Sequence, residues 1–256
     1  MSELPELASS PALAASTASL VATIADNKYF LAHRLAEAGV AAPSLESAVA
    51  CTAIAQEEAG HARALYSLLE TFPRELAPIP LERESDRARK YALSFLRAPN
   101  RSFVTAVASL TLADRAFATA LDACADSSFA ELRKRAVRIL GDEPFHQKYA
   151  NGRVAELADR PDLARELAAL LPETLCWFGP AGEEGLERLV QAGIVAKRNE
   201  ELREEFLDGL AELVAQTELQ LPISRVDGRW RYPDLPWTKW DSRERRLVDQ
   251  TPAMAA

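Results

Sequence analysis

Apolar residues recur at helical spacing along most of the chain. The first such segment covers about residues 19–38, and its apolar face is formed by Leu20, Ile24, Phe30, Leu31 and Leu35. The same spacing, bounded by serine, glycine and proline, predicts three further long helices, at about 44–71, 102–126 and 127–158. The chain is therefore predicted to be an all-α bundle.

Shorter elements are predicted between and after these helices. Helical spacing indicates short helices at about 84–96, 162–171, 183–192 and 199–219. From Pro222 onward, Trp230, Trp237 and Trp240 lie among prolines, and we expect this tail to wrap over the body or a partner. The predicted organisation is a disordered N-terminus at 1–16, a helical domain at 17–221 and an extended tail at 222–256.

Composition narrows the class of protein. The chain has 256 residues, of which 48% are apolar, so it can bury a sizeable core. A net charge of -8 argues against nucleic-acid binding, which requires a basic surface. We expect neither a signal peptide nor a transmembrane helix, because the chain lacks a basic start and a run of 18 apolar residues. Three cysteines without CxxC spacing favour reduced thiols in a cytoplasmic protein.

Two histidines follow a glutamate by three residues. These pairs are Glu58 with His61 and Glu143 with His146. On a helix, positions i and i+3 lie on one face, so each pair presents a carboxylate and an imidazole to the same point. Two such pairs, with one carboxylate from each of two other helices, form the dimetal site of ferritin-like bundles. A single pair can arise by chance, but two among three histidines favour a metal site.

The dimetal site requires two further carboxylates, one from each of the first and third long helices. Asp114 is the only acid in a largely apolar stretch of the third helix, where an unpaired buried carboxylate would be costly. Asp26 is the candidate on the first helix, although it can equally cap that helix or face solvent. His33, two turns after Asp26, is a possible neighbour of the ligands, or a surface residue. Pro144 is expected to disturb the fourth helix, either as a local bulge of the kind common at functional sites or as a simple kink.

Three stretches of sequence carry a family resemblance: Ala-Pro-Ser-Leu at 42–45 leading into Gln-Glu-Glu-Ala-Gly-His at 56–61, Asp114 with Glu143 and Phe-His-Gln at 145–147, and Trp-Phe-Gly-Pro at 177–180 with Lys-Arg-Asn-Glu-Glu-Leu-Arg at 197–203. They resemble the phenylacetate-degradation oxygenase family, most closely its catalytic, iron-binding subunit. The resemblance implies iron ligands at Glu58, His61, Asp114, Glu143 and His146, and a small gap brings Asp26 onto the first-helix ligand. Asp26-Asn27 and residues 33–37 resemble instead the iron-free sister subunit, which lacks both Glu-x-x-His pairs.

Carboxylate and imidazole ligands suit Fe(II) and Mn(II), so the expected cofactor is two iron ions, with manganese as a possible substitute. The function expected from the resemblance is an O2-activating di-iron monooxygenase that epoxidises or hydroxylates an aromatic or acyl CoA thioester. It also implies an electron-donating reductase and a sister subunit or a second copy as partners. The alternatives are a non-catalytic subunit of a multicomponent oxygenase and a ferritin-like iron-oxidising protein.

Overall fold

The computed structural model describes residues 10–85, 91–217, 219–241 and 246–248, and helices dominate these residues. In chain order the α-helices α1 to α10 are Pro11–Val40, Leu45–Leu69, Ser94–Arg97, Phe103–Ser109, Arg115–Asp122, Ala130–Leu140, Glu143–Glu156, Pro161–Trp177, Glu184–Gln191 and Asn199–Ala215. A π-helical turn, Leu110–Asp114, joins α4 to α5 without a break. The predicted all-α, ferritin-like class is confirmed.

Serine side chains begin three of the long helices. The hydroxyl oxygens of Ser10, Ser44 and Ser102 accept hydrogen bonds from backbone amides in the first turns of α1, α2 and α4. Only four residues separate α1 from α2, so the two helices pack antiparallel along their length. The segments α1, α2, α4–α5 and α6–α7 form the four-helix bundle, and α8 and α10 pack against the α4–α5 segment.

The core of the bundle lies between these four segments. Its fully buried side chains include Ile24 from α1, Ile54 from α2 and Phe117 from α5. Each such side chain stabilises the fold by about 1.5–3 kcal/mol relative to exposure. The segment 103–122 is long and apolar enough to span a membrane by composition, yet 89% of its most apolar window is buried inside the protein. It is therefore accounted for as the core segment of the bundle.

Two sequence predictions are wrong about helix boundaries. Residues 11–16, expected to be disordered, form the start of α1, because Pro11 suits the first helical position and Ser10 caps it. The predicted fourth helix is in fact two helices, α6 and α7, separated by Gly141 and Asp142. Pro144 stands at the beginning of α7, where its missing amide costs nothing, so it starts a helix instead of kinking one.

Other boundaries differ less. The helix predicted at 84–96 is observed only as α3, and residues 86–90 of that prediction lie outside the described residues. The helix predicted at 162–171 continues to Trp177 as α8, with Pro172 inside it. The prediction for the N-terminus also includes residues 1–9, which lie outside the described residues.

The C-terminal tail contains two short antiparallel hairpins. Strands β1 (Ser224–Val226) and β2 (Arg229–Arg231) are joined through Asp227 and Gly228, both with positive φ, as a tight hairpin turn requires. Strands β3 (Trp240–Asp241) and β4 (Arg246–Leu247) form the second hairpin. The Trp230 indole donates a hydrogen bond to Asp208 of α10, at 3.0 Å. This part of the tail thus lies on the helical body.

Candidate metal centre

Four buried side chains converge in the middle of the bundle. Glu58 comes from α2, Asp114 from the π-helical turn, and Glu143 and His146 from the first turn of α7. None is more than 2% exposed, and one potential ligand atom from each lies within 4.8 Å of all the others. Buried carboxylates combined with an imidazole are a donor set for a divalent transition metal. The structure therefore brings together four of the six predicted ligands.

Local helix geometry aims these side chains inward. The i, i+3 spacing places Glu143 and His146 on the same face of α7, and the break before α7 sets the direction of that helix. The π-helical turn ends at Asp114, and such bulges are frequent at functional sites because they displace one residue from the regular helical register. The break before α7 was not predicted from the sequence, and a bulge was expected at Pro144 and not at residues 110–114.

A lysine from α1 occupies the centre of the cluster. The Lys28 ammonium lies 2.8 Å from Glu58 Oε1, 3.0 Å from Glu143 Oε1 and 3.4 Å from Asp114 Oδ1. Its side chain is fully buried. Lys28 is not among the predicted site residues, although it lies within an apolar stripe at helical spacing with Ile24, Leu31 and Leu35. That position in the stripe was the signal that Lys28 faces inward.

Mutual interactions decide the protonation of the cluster. Burial alone would lower the pKa of Lys28, but the carboxylates of Glu143, Glu58 and Asp114 raise it far above its ordinary value. Burial would likewise raise the pKa of Asp114, yet the Lys28 ammonium and His146 hold it well below the usual range. Burial and the neighbouring carboxylates raise the pKa of Glu143 well above its ordinary value. The lysine is thus charged, and Glu143 is the carboxyl group most inclined to keep a proton.

Each histidine of the two motifs has a second carboxylate partner. His146 Nε2 is 2.7 Å from Glu57 Oε2, which leaves Nδ1 facing the cluster. His61 Nδ1 is 3.0 Å from Glu58 Oε1, and its Nε2 is 3.0 Å from Asp142 Oδ2. A carboxylate on the far side of an imidazole fixes the tautomer and orientation of a metal-binding histidine. Glu57 orients His146 in this way, whereas both nitrogens of His61 are already hydrogen-bonded.

Two atoms of the cluster indicate where an ion fits. Glu143 Oε2 and His146 Nδ1 are buried and have no hydrogen-bond partner among the described residues. They lie 3.8 Å apart, a separation that two ligands of one ion can adopt. A buried polar atom without a partner is costly, and coordination to a metal removes that cost. The residues therefore fit one divalent cation.

The residues do not fit a complete dimetal site of the kind known in ferritin-like bundles. Such a site takes a Glu-x-x-His pair from each of two helices and a carboxylate from each of the other two. Here α2 and α7 supply the pairs and the π-helical turn supplies Asp114. The fourth helix of the set, α1, contributes Lys28. A cation thus stands where the fourth carboxylate is required.

The structure does not bring Asp26 into the cluster. Asp26 and Lys28 are two residues apart, so they project in directions roughly 200° apart around α1. The Asp26 carboxylate accepts hydrogen bonds from the Tyr66 hydroxyl, at 2.6 Å, and from the Tyr91 amide, at 3.0 Å. It therefore ties α1 to α2 and to the segment before α3. His33 is exposed and packs against the Tyr29 ring, with centroids 4.5 Å apart, outside the cluster.

A surface cleft of about 550 Å³ reaches the edge of the centre at His61. Glu57 and Asp142, the partners of the two histidines, line it as well. The basic side chains Lys134, Arg135 and Arg138 also line this cleft. On the inner side of the centre, the Phe117 ring lies 5.8 Å from the Lys28 ammonium and closes the site with apolar surface. The centre is thus shielded from solvent on the Phe117 side and accessible from the cleft on the His61 side.

Comparison of the sequence with known proteins identifies the family of this chain. The chain is 24% identical over 212 residues to one of the subunits of 1,2-phenylacetyl-CoA epoxidase from Escherichia coli (strain K12), and the match covers 78% of this chain and 68% of the relative. The model of a family described as phenylacetic acid catabolic protein matches residues 4–239. The resemblance predicted from the sequence is confirmed, and the chain belongs to the phenylacetic acid catabolic protein family.

Proposed function

We propose that this chain is the metal-binding subunit of an oxygenase-type oxidoreductase, with a CoA thioester as its substrate. The observation that supports the proposal is the buried cluster of Glu58, Asp114, Glu143 and His146 in the middle of the bundle. Family membership and the similarity to an epoxidase subunit point in the same direction. The metal we propose is iron, since carboxylate and imidazole donors suit Fe(II), with Mn(II) as a possible substitute.

Iron, when bound, would offer open coordination positions to O2 and pass on to it the electrons that a reductase delivers. The residues of the chain bind the ion, orient its ligands and exclude water. Glu143 and His146 would hold the ion from α7, and Asp114 would hold it from the π-helical turn. Glu57 fixes the orientation of His146 through its hydrogen bond to Nε2. Phe117 excludes water from the inner side of the centre.

The cleft beside His61 is the approach to the centre that we propose for the substrate. Lys134 and Arg135 there pair with Glu131, whereas Arg138 has no ion pair among the described residues. Guanidinium groups bind phosphates through paired hydrogen bonds, so these basic side chains can receive the phosphate groups of an acyl-CoA. The relative is named as one subunit of an epoxidase, and we accordingly propose a reductase and a sister subunit, or a second copy, as partners.

The experiment that tests the function compares two histidine variants. His146→Ala removes a cluster ligand, whereas His33→Ala removes an exposed histidine of the same bundle. Iron content and O2 consumption with phenylacetyl-CoA and a reductant are measured for both variants and the wild type. We expect iron and substrate-dependent O2 consumption in the wild type and in His33→Ala, and loss of both in His146→Ala. Equal iron content in the two variants would show that the cluster is not the iron-binding site.

A second candidate function is a non-catalytic subunit of a multicomponent oxygenase. Lys28 favours it, because an ammonium that satisfies three carboxylates lets the bundle keep its centre without any metal. This candidate predicts a folded, metal-free chain that binds a sister subunit but shows no turnover. Metal analysis of the purified wild type separates it from the first candidate.

A further inference from the structure

We propose that Lys28 permanently replaces one metal ion of the dimetal arrangement, so that the centre binds a single divalent cation. The inference rests on the proposed function, because it requires that the cluster of Glu58, Asp114, Glu143 and His146 binds metal at all. It goes beyond that function by fixing the number of ions and by assigning a role to a residue of α1.

The first step of the argument is the position of Lys28 in the bundle. Each of the other three segments of the bundle contributes at least one acidic side chain to the centre, and α1 contributes the ammonium. Lys28 is fully buried and bonded to all three carboxylates, so it is part of the centre and cannot be a surface residue that happens to lie nearby. The nearby acid of α1, Asp26, is held by Tyr66 and Tyr91 on another face.

The second step is the charge of the centre. Four carboxylates balance two divalent ions when both imidazoles are neutral. Exchanging one carboxylate for an ammonium changes the charge of the protein groups by two units, which equals the charge of one divalent ion. Three carboxylates with Lys28 therefore balance a single divalent cation. In a buried site a second divalent ion would leave two uncompensated positive charges, and burial makes such charge expensive.

The third step is the division of the carboxylate oxygens. Glu143 Oε1 and Asp114 Oδ1 face Lys28, at 3.0 and 3.4 Å. The other oxygen of each faces His146 Nδ1, with Glu143 Oε2 at 3.8 Å and Asp114 Oδ2 at 3.6 Å. These two oxygens and Nδ1 form one set of three ligands on the His146 side. On the opposite side, His61 Nδ1 lies 3.0 Å from Glu58 Oε1 and its Nε2 lies 3.0 Å from Asp142 Oδ2, so a second ion at Nδ1 would have to displace the Glu58 contact.

The test counts metal ions in variants of matched charge. Lys28→Glu supplies the missing carboxylate, whereas Lys148→Glu makes the same change on the exposed face of α7. Each protein is loaded anaerobically with Fe(II), or with Mn(II), desalted, and analysed for metal per chain. We expect one ion in the wild type and in Lys148→Glu, and two in Lys28→Glu. The Mn(II) spectrum of the wild type, measured by electron paramagnetic resonance, should be that of an isolated ion.

Each other outcome has a distinct meaning. Two ions in the wild type, with a spin-coupled Mn(II) spectrum, would overturn the inference and leave the proposed function intact. One ion in a folded Lys28→Glu variant would overturn the role of Lys28. No metal in the wild type would overturn the proposed function, and the inference with it. Should Lys28→Glu fail to fold, the stoichiometry and spectrum of the wild type still decide the number of ions.

Discussion

Replacing Lys28 by methionine should strongly destabilise the metal-free protein. Methionine matches the aliphatic part of lysine and packs well in irregular apolar surroundings, so the change removes little except the charge. The ammonium that is lost lies within 3.4 Å of three buried carboxylates. Removing one partner of a buried ion pair leaves an uncompensated charge and costs about 3–5 kcal/mol.

The protonation equilibria of the centre give a similar estimate of the stability lost in Lys28→Met. In the metal-free protein His146, with its pKa raised to about 9, is protonated at pH 7 and compensates one carboxylate. Without Lys28, the negative charge of a second carboxylate such as Asp114 is not compensated. This carboxylate avoids the cost of a buried charge only by taking up a proton. At pH 7, about three pH units above the ordinary pKa of a carboxylate, that protonation costs about 4 kcal/mol. The loss cannot greatly exceed this value, because protonation is always available.

The assay is urea unfolding in the presence of a chelator, followed by circular dichroism. We expect a loss of about 3–5 kcal/mol for Lys28→Met at pH 7, or a fall in Tm of roughly 6–20 °C. At pH 5 the gap from the wild type should shrink to about 1.4 kcal/mol, since the carboxylate is protonated more readily there. The pKa of that carboxylate is raised in the folded variant, so the stability it contributes is present at low pH and is lost as the pH rises.

Two comparisons control this prediction. Lys148→Met changes an exposed lysine of α7 and should leave the free energy of unfolding within about 0.5 kcal/mol of the wild type. The double variant Lys28→Met/Asp114→Asn removes the uncompensated carboxylate together with the ammonium, and should recover a large part of the loss. A Lys28→Met variant as stable as the wild type at pH 7 would refute the electrostatic account of the centre.

Three further predictions concern single residues. Glu57→Ala removes the partner of His146 Nε2, so Mn(II) should bind about 10–100-fold more weakly in a titration, and unchanged affinity would contradict the orienting role. Asp26→Asn weakens the bond from the Tyr66 hydroxyl and should cost about 1–3 kcal/mol in urea unfolding while metal content stays the same; loss of metal would restore Asp26 as a ligand. Burial raises the pKa of Cys124 from 9.0 to about 12, so the unfolded state loses this proton first and stability falls between these values. That fall should reach about 1.4 kcal/mol at pH 10 and disappear in Cys124→Ala, and identical pH profiles of the two proteins would exclude it.

The residues of the candidate metal centre were predictable wherever a local rule fixes their geometry. The spacing of three residues in Glu58–His61 and Glu143–His146 places each pair on one helix face, whatever the rest of the chain does. Asp114 was identified because an isolated acid in an apolar helix needs a partner. These local rules correctly indicated which helices face the centre. They did not indicate that both nitrogens of His61 would be occupied by Glu58 and Asp142.

The first helix shows where such rules end. Asp26 and Lys28 both lie in the buried part of α1, and residue chemistry favoured the acid as a ligand. The choice between them depends on Tyr91, whose amide comes from a segment 65 residues away and satisfies Asp26. Helical spacing alone would have favoured Lys28, which follows Ile24 by four residues and precedes Leu31 by three. The prediction followed residue type and chose Asp26, whereas helical position correctly indicated that Lys28 faces the centre.

Lysine and a divalent cation can each compensate the negative charge of buried carboxylates, but they do so at different stages. Carboxylates gathered in a dry bundle need positive charge, and a metal ion supplies it only after binding, so such centres couple metal binding to folding. An ammonium attached to α1 is present as soon as the helices pack. Lysine suits this position better than arginine, because its compact point charge has the size of an ion, whereas a planar guanidinium would need more space and fixed directions. Lys28 thus allows the bundle to form before any metal arrives, and it leaves Glu143 Oε2 and His146 Nδ1 ready for one ion.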